Sequence, residues 1–274
     1  QGQGALLRAR YAVDVLVQSS LFDSPETGFP QEDGRAVSLV GVRGARLVGN
    51  VLRNVLADTA VEARAGSSDI LVDGNAFFDV QEGVSLGGRS ARQEHADPLS
   101  TAEATAVVAV NNTFVGAVAF PFVVAGCARC VVAYNSYAGA GARGAVVSRP
   151  GATGAQAPGA VSVTTGLVVT SNIFAFQGAV PPALLAVQPE DQGDLVLGPN
   201  LFFATGGNVS AAPSAPSLDL ALARVDVDPL FTSVGGRDLT LQPGSPALGA
   251  GVALPGLRRD ATGACRTAFR LAAF

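Results

Sequence analysis

Residues 69–78 read DILVDGNAFF, and the same grammar returns at 106–115 as AVVAVNNTFV, at 130–138 as CVVAYNSYA, at 166–175 as GLVVTSNIFA and at 194–203 as DLVLGPNLFF. ARLVGNVL at 45–52 is an earlier copy, and VLVQSSLF at 15–22 puts Ser20 and Phe22 in the same places. In each full copy a short apolar run ends in an asparagine: Asn50, Asn75, Asn112, Asn135, Asn172 and Asn200. Two positions later stands a large apolar side chain, namely Leu52, Phe77, Phe114, Tyr137, Phe174 and Phe202.

Successive asparagines are 25, 37, 23, 37 and 28 residues apart, which reads as a unit of 23 to 25 residues with insertions in the longer intervals. Within a unit two runs of about five residues precede the Asn, such as AVEAR then DILVD. They are too short and too β-branched for helices and fit strands. Strands this short cannot each bury a face alone, whereas stacking one unit on the next does so. The repeat therefore predicts an all-β parallel solenoid of about seven coils. A leucine-rich repeat has a similar period, but its recurrent Leu frame is absent.

The asparagine column is expected at a sharp corner, where Asn tolerates left-handed backbone and where amides about 4.8 Å apart can bond along the stack. The aromatic side chains two residues on are expected to point inward and stack. Alternation places Ala45/Leu47, Ile70/Val72, Val107/Ala109, Cys130/Val132, Leu167/Val169 and Leu195/Leu197 inside. The intervening position faces out and reads Arg46, Leu71, Val108, Val131, Val168, Val196, while the preceding strands show Val123, Val147 and Leu185 outward. An outward stripe of valines marks either a contact surface or a face covered by the chain's own loops.

Apolar residues make up 48 % of the 274-residue chain and charged residues 15 %, so much of it must be buried. All 18 basic residues are Arg, the formal net charge is -4, and there is no basic stripe. Nucleic-acid binding, which depends on neutralising phosphates, is therefore not expected. No apolar run approaches the roughly 20 residues of a membrane-spanning helix. The opening QGQG carries neither an initiator Met nor a signal-like segment, so any signal peptide is expected to have been removed or to lie outside this chain, and a preceding segment of more coils or a cap is expected.

Three segments interrupt the period. Residues 87–104, GGRSARQEHADPLSTAEA, and 148–165, SRPGATGAQAPGAVSVTT, fall at the same turn of coils separated by one other, with GCARC between them. They should project from one side about 10 Å apart and leave a notch the width of an extended sugar chain. Residues 204–224 read as a loop or linker, so that 1–224 form the coils and 225–274 a terminal strand and cap expected to cover the open lower end. Cys127 and Cys130 sit in a turn, where a local disulfide or two partly buried thiols is expected; for a metal only Cys265 and His95 would be left as further soft ligands.

The repeat resembles the right-handed parallel β-helix of the pectate-lyase-like superfamily. The terminal residues Asp228-Pro229-Leu230-Phe231, Leu239 to Gly251, Asp260, Gly263 and Arg266 resemble the last segment of bacterial extracellular β-helix proteins. The resemblance implies a secreted or surface-exposed bacterial protein, with relatives that cleave polysaccharides and others that only adhere. Lyases of this kind use a basic residue with Ca²⁺ or Arg; the hydrolases use clustered Asp.

Against those chemistries, Arg64 and Arg149 occupy matching outward positions three coils apart, roughly 14 Å and too far for one reacting centre. Arg89, Arg92, Glu94, His95 and Asp97 cluster in the first insertion, where His95 could act as acid or base with Asp97 or Glu94 orienting it, or the stretch could be a solvated loop. Glu62, Asp69, Asp73, Asp79 and Glu82 lie on neighbouring coils, where they could form an acidic patch and hold Ca²⁺, but they fall at different corners and no recognisable loop spacing marks such a site. No cofactor or metal is implied. The leading expectation is a structural, adhesive or glycan-binding module whose face at Val108, Val131, Val168 and Val196 docks on another domain or subunit. The alternative is a polysaccharide lyase or glycoside hydrolase using His95, Arg89, Arg92 and Asp97 in the notch.

Overall fold

The computed structural model describes residues 6–24, 34–90, 92–97, 99–149, 151–152, 161–191, 194–211, 222–257, 259–260 and 264. The chain passes in turn through three parallel sheets, here A, B and C. One pass runs Thr59–Arg64 on A, Ser67–Asp73 on B and Ala76–Phe78 on C; the next runs Glu82–Gly87, Ala104–Val110 and Thr113–Ala117. The third sheet is built from the strands of three to five residues that follow Ser20 and each ladder Asn, so the aromatic positions belong to a strand of their own. The result is an all-β, solenoid-like body with its sheets stacked in register.

Register follows the apolar pattern. Leu47, Val72, Ala109, Val132, Val169 and Leu197 are partners along sheet B. Leu52, Phe77, Phe114, Tyr137, Phe174 and Phe202 are partners along sheet C. A one-residue slip would turn each strand's inner set outward, so burial fixes the pairing. These residues belong to one continuous core between the three sheets.

The asparagine ladder is complete from Asn50 to Asn200. Each side-chain Nδ2 donates to the Oδ1 of the next Asn at 2.9 to 3.0 Å, and each Asn backbone N–H donates to the same oxygen. Ser20 joins through its backbone N–H, which donates to Asn50 Oδ1 at 3.0 Å. The left-handed corner residue is not the ladder Asn, however, but at every corner before Asn200 the residue preceding it: Ser19, Gly49, Gly74, Asn111, Tyr134 and Ser171 all have φ between 47° and 63°. The ladder Asn therefore serves the stack by its amide, which satisfies buried backbone groups, rather than by its tolerance of positive φ.

Phe77 stacks on Phe114 at 4.5 Å, and Phe174 on Phe202 at 5.3 Å. Tyr137 interrupts the stack and tilts towards Phe176, because its buried hydroxyl needs an acceptor and donates to Val118 O at 3.4 Å. Cys127 and Cys130 form a disulfide, and both face the core.

Two expectations change. Leu185 pairs with Val146 and faces in, leaving the outward place beside Val147 to Ala186. Among the described residues the terminal segment, after Arg224–Val225 adds a last strand to sheet C, runs along the side walls rather than across the lower end. Its hairpin of Phe231–Ser233 and Asp238–Leu241 places Phe231 and Leu239 on the outer residues Val115, Ala138 and Ala175 of sheet C. Leu254 and Leu257 then pack against Val110, Ala133 and Tyr134 at sheet B, the cluster that Leu71, Val108 and Val131 also join. Both walls carry apolar outward rows, and packing the segment on them removes apolar area from water.

Candidate functional site

A cleft of about 1020 Å³ lies on the outer face of sheet A, which the described residues of the terminal segment leave uncovered. Its floor follows from strand parity. Ser38, Glu62, Ser85 and Val123 are register partners on adjacent strands and point away from the core. The row begins with Arg8, partner of Ser38, and the next row contains Arg64. From the strand of Arg8 to that of Arg149 the cleft crosses about 24 Å at ordinary strand spacing.

The first insertion forms one wall. Gly88, Arg89, Gln93 and Glu94 line the cleft, held there by three contacts. Arg64 Nη1 donates to Glu94 Oε2 at 2.7 Å, Tyr11 Oη donates to Glu94 O at 2.9 Å, and Glu103 accepts from Ser90 N and Ala65 N at 2.7 and 2.9 Å. At the far end Arg149 donates to Glu82 Oε1 at 2.6 Å and lies over the Phe120 ring, while Thr59 Oγ1 donates to Glu82 Oε2 at 2.8 Å.

At the centre Glu62 Oε2 is 2.8 Å from Arg35 Nε and 2.9 Å from Arg64 Nε. Burial pushes the Glu62 carboxyl up to about 7, against the opposing pull of Arg35 and Arg64 and with Asp58 and Glu103 pushing the same way. Arg64 is held above its usual value: burial would lower it, but its hydrogen bond to Glu94 and the charges of Glu62, Glu94 and Glu103 prevail. The floor thus holds charged groups of both signs, set to exchange hydrogen bonds with a polar ligand.

No protein-family model matches this chain, and no curated protein or solved structure matches it either.

Arg64, Arg149 and Arg89 line the cleft as one site, so the row that places Arg64 and Arg149 three strands apart brings both to the same surface. His95 does not line it. Its side chain is fully buried, with Nε2 3.6 Å from the equally buried Glu103 Oε1, and neither ring nitrogen has a hydrogen-bond partner. Asp97 is exposed and accepts from Leu99 N at 2.8 Å in a local turn, away from His95. Arg92 opens the short 3₁₀ turn Arg92–Glu94; its side chain and Cys265 lie outside the described residues.

The gap expected between the two insertions is bridged at its base, where Ser162 Oγ donates to Thr101 O at 3.0 Å. Residues 153–160 of the second insertion lie outside the described residues. The stripe expected to dock a partner is divided: Val108, Val131 and Val168 are half-buried, Val108 and Val131 joining Leu254 and Leu257 around Tyr134, and Val196 remains 56 % exposed. Glu62 and Glu82 share the cleft, whereas Asp69 and Asp73 belong to sheet B and Asp79 follows a strand of sheet C. Among the described residues no group of three or more His, Cys, Asp or Glu is placed to hold a metal ion, and no helix is long and apolar enough to cross a membrane.

Arg35 and Asp58 are site residues that the repeat does not reveal, because both lie just before their strands. The signal available in the sequence is the outward row Arg8, Ser38, Glu62, Ser85, polar for four strands before it becomes Val123.

Proposed function

We propose that this chain is a right-handed parallel β-helix of the pectate-lyase-like kind, of about seven coils, acting outside the cell as a glycan-binding module, with the sheet A cleft as its binding site. The observation that carries the reading is the cleft itself: a long, flat-floored, polar groove whose buried arginines and carboxylates suit an extended, hydroxyl-rich polymer. The asparagine ladder and the stacked aromatic residues support the β-helix assignment, and the Cys127–Cys130 disulfide supports an oxidising, extracellular setting.

Affinity electrophoresis through gels containing neutral, uronate and sulfated polysaccharides tests this. At least one polymer should retard the protein, and Arg149→Ala, which removes a cleft charge that is 42 % exposed, should weaken that retardation roughly tenfold or more. Free migration of the wild-type chain through every gel would overturn the reading. Cleavage of the bound polymer is a second reading, favoured by Glu62, which can carry a proton near neutral pH in the same cleft as Glu82. New reducing or unsaturated ends, lost in Glu62→Gln, would establish it; intact polymer after prolonged incubation would exclude it.

A further inference from the structure

One oxygen on the cleft floor serves two guanidinium groups. Glu62 Oε2 contacts Arg35 Nε and Arg64 Nε at 2.8 and 2.9 Å, yet it accepts no well-aligned hydrogen bond from either. Each arginine also has a second carboxylate. Arg35 Nη2 lies 3.1 Å from Asp58 Oδ2, and Arg64 Nη1 lies 2.7 Å from Glu94 Oε2. With Arg8, whose Nη2 lies 3.8 Å from Glu94 Oε1, three cations and three anions therefore meet in a largely buried cluster, and Glu62 is the carboxylate shared by Arg35 and Arg64. The side chains of Glu62 and Arg64 are only 7 % and 8 % exposed, although they line an open cleft.

We propose that Arg35 and Arg64 form an anion site whose resident occupant is Glu62: a carboxylate or sulfate on the bound glycan takes the place between the two guanidinium groups, and Glu62 leaves it as the neutral acid. This deepens, and rests on, the assignment of the cleft as the glycan site.

Charge bookkeeping favours such an exchange. Adding an anion beside an ionised Glu62 would put a fourth negative charge in a desolvated cluster, whereas exchanging one anion for another leaves its total unchanged. The proton comes from solvent, only the Glu62 O–H bond forms, and no co-reactant is needed. Arg35 and Arg64 stay paired with Asp58 and Glu94 throughout. The remaining charged groups that face the cleft are Arg89 and Arg149 with Glu82, and Glu103 lies behind the wall. Glu62 already stands where uptake is easy, since burial places its carboxyl at about 7. Binding should then be insensitive to pH below that value and weaken about tenfold per pH unit above it.

Isothermal titration of an oligouronate, its neutral counterpart and inorganic sulfate tests this, from about pH 5.5 to about pH 8.5 and in buffers of different ionisation enthalpy. Wild-type protein should take up close to one proton per oligouronate or sulfate bound at about pH 8. Glu62→Gln should bind both without proton uptake, with affinity flat across the range and tighter than wild type at the alkaline end. Binding of either anion to the wild type without proton uptake would overturn the proposal. So would a folded Glu62→Gln that binds neither, or a neutral oligosaccharide bound as well as the oligouronate. In that last case the glycan reading survives alone; proton-linked sulfate binding without binding of any glycan would leave the anion site standing and remove the glycan reading.

Discussion

Asn135 holds five hydrogen bonds at one buried corner. Its Oδ1 accepts from Asn112 N at 2.9 Å and Asn112 Nδ2 at 3.0 Å, and its Nδ2 donates to Ala109 O, Ala133 O and Asn172 Oδ1 at 2.9 to 3.0 Å. Asn135→Ala leaves backbone groups of two passes unsatisfied where water cannot reach. The expected loss is about 2 to 4 kcal/mol in urea unfolding, above the roughly 1 kcal/mol of a single exchanged hydrogen bond. A loss below that single-bond figure would mean that the corner relaxes or admits water.

The ladder shows why so much of the fold is legible in the sequence. Each pass sits on the last, so Asn112, Asn135 and Asn172 meet the same demand and recur in register. The same logic marks the inward residues Leu47, Val72 and Val132. The site is less legible because it breaks the repeat. Arg35 and Asp58 lie before their strands, outside any periodic position, and Glu94 reaches Arg64 only because a non-repeating insertion folds back along the corner. Leu254 and Leu257, which join Val108 and Val131 around Tyr134, come from more than a hundred residues away along the chain, in a segment with no period to read. His95 shows the converse: its chemistry suggests a site, and only its complete burial against Glu103 places it behind one.

Phe114 tests the aromatic column. It stacks on Phe77 at 4.5 Å and meets Phe122 edge-on at 5.0 Å, fully buried. Phe114→Ala should cost about 3 to 5 kcal/mol, and Phe114→Leu less than about 1.5 kcal/mol, because Leu keeps most of the volume. Leu52 already fills the corresponding place two passes earlier. Equal losses in the two variants by urea unfolding would show that ring stacking, rather than volume, sets the stability of the column.

Tyr134 fixes the C-terminal cover. Its hydroxyl donates to Val252 O and accepts from Leu254 N at 3.1 Å, while Val252 N donates to Ser171 Oγ at 3.1 Å. Tyr134→Phe removes two of these bonds and leaves the ring in place. Amide exchange at residues 252–257 should quicken roughly tenfold or more, with a global loss of only about 1 to 2 kcal/mol. Unchanged exchange would show that Leu254 and Leu257 hold the segment by packing alone.

Glu62 should make stability fall as pH rises. Its carboxyl stands at about 7 in the folded chain against an ordinary value of 4.5, so between those limits the folded state holds a proton that the unfolded state has lost. Unfolding free energy declines with pH wherever the native state binds more protons, so this contribution is full below about pH 4.5, shrinks across the interval and is gone above about pH 7. The whole interval corresponds to about 3 kcal/mol, an upper figure because Arg35 and Arg64 can shift as Glu62 ionises. Glu62→Gln lacks the titration, so the stability of wild type relative to this variant should fall steadily from about pH 5 to about pH 7.5 and then level off. Other carboxylates titrate alike in both chains and cancel. A difference between the two chains that stays flat across that range, measured by thermal or urea unfolding, would show that Arg35 and Arg64 keep Glu62 ionised throughout.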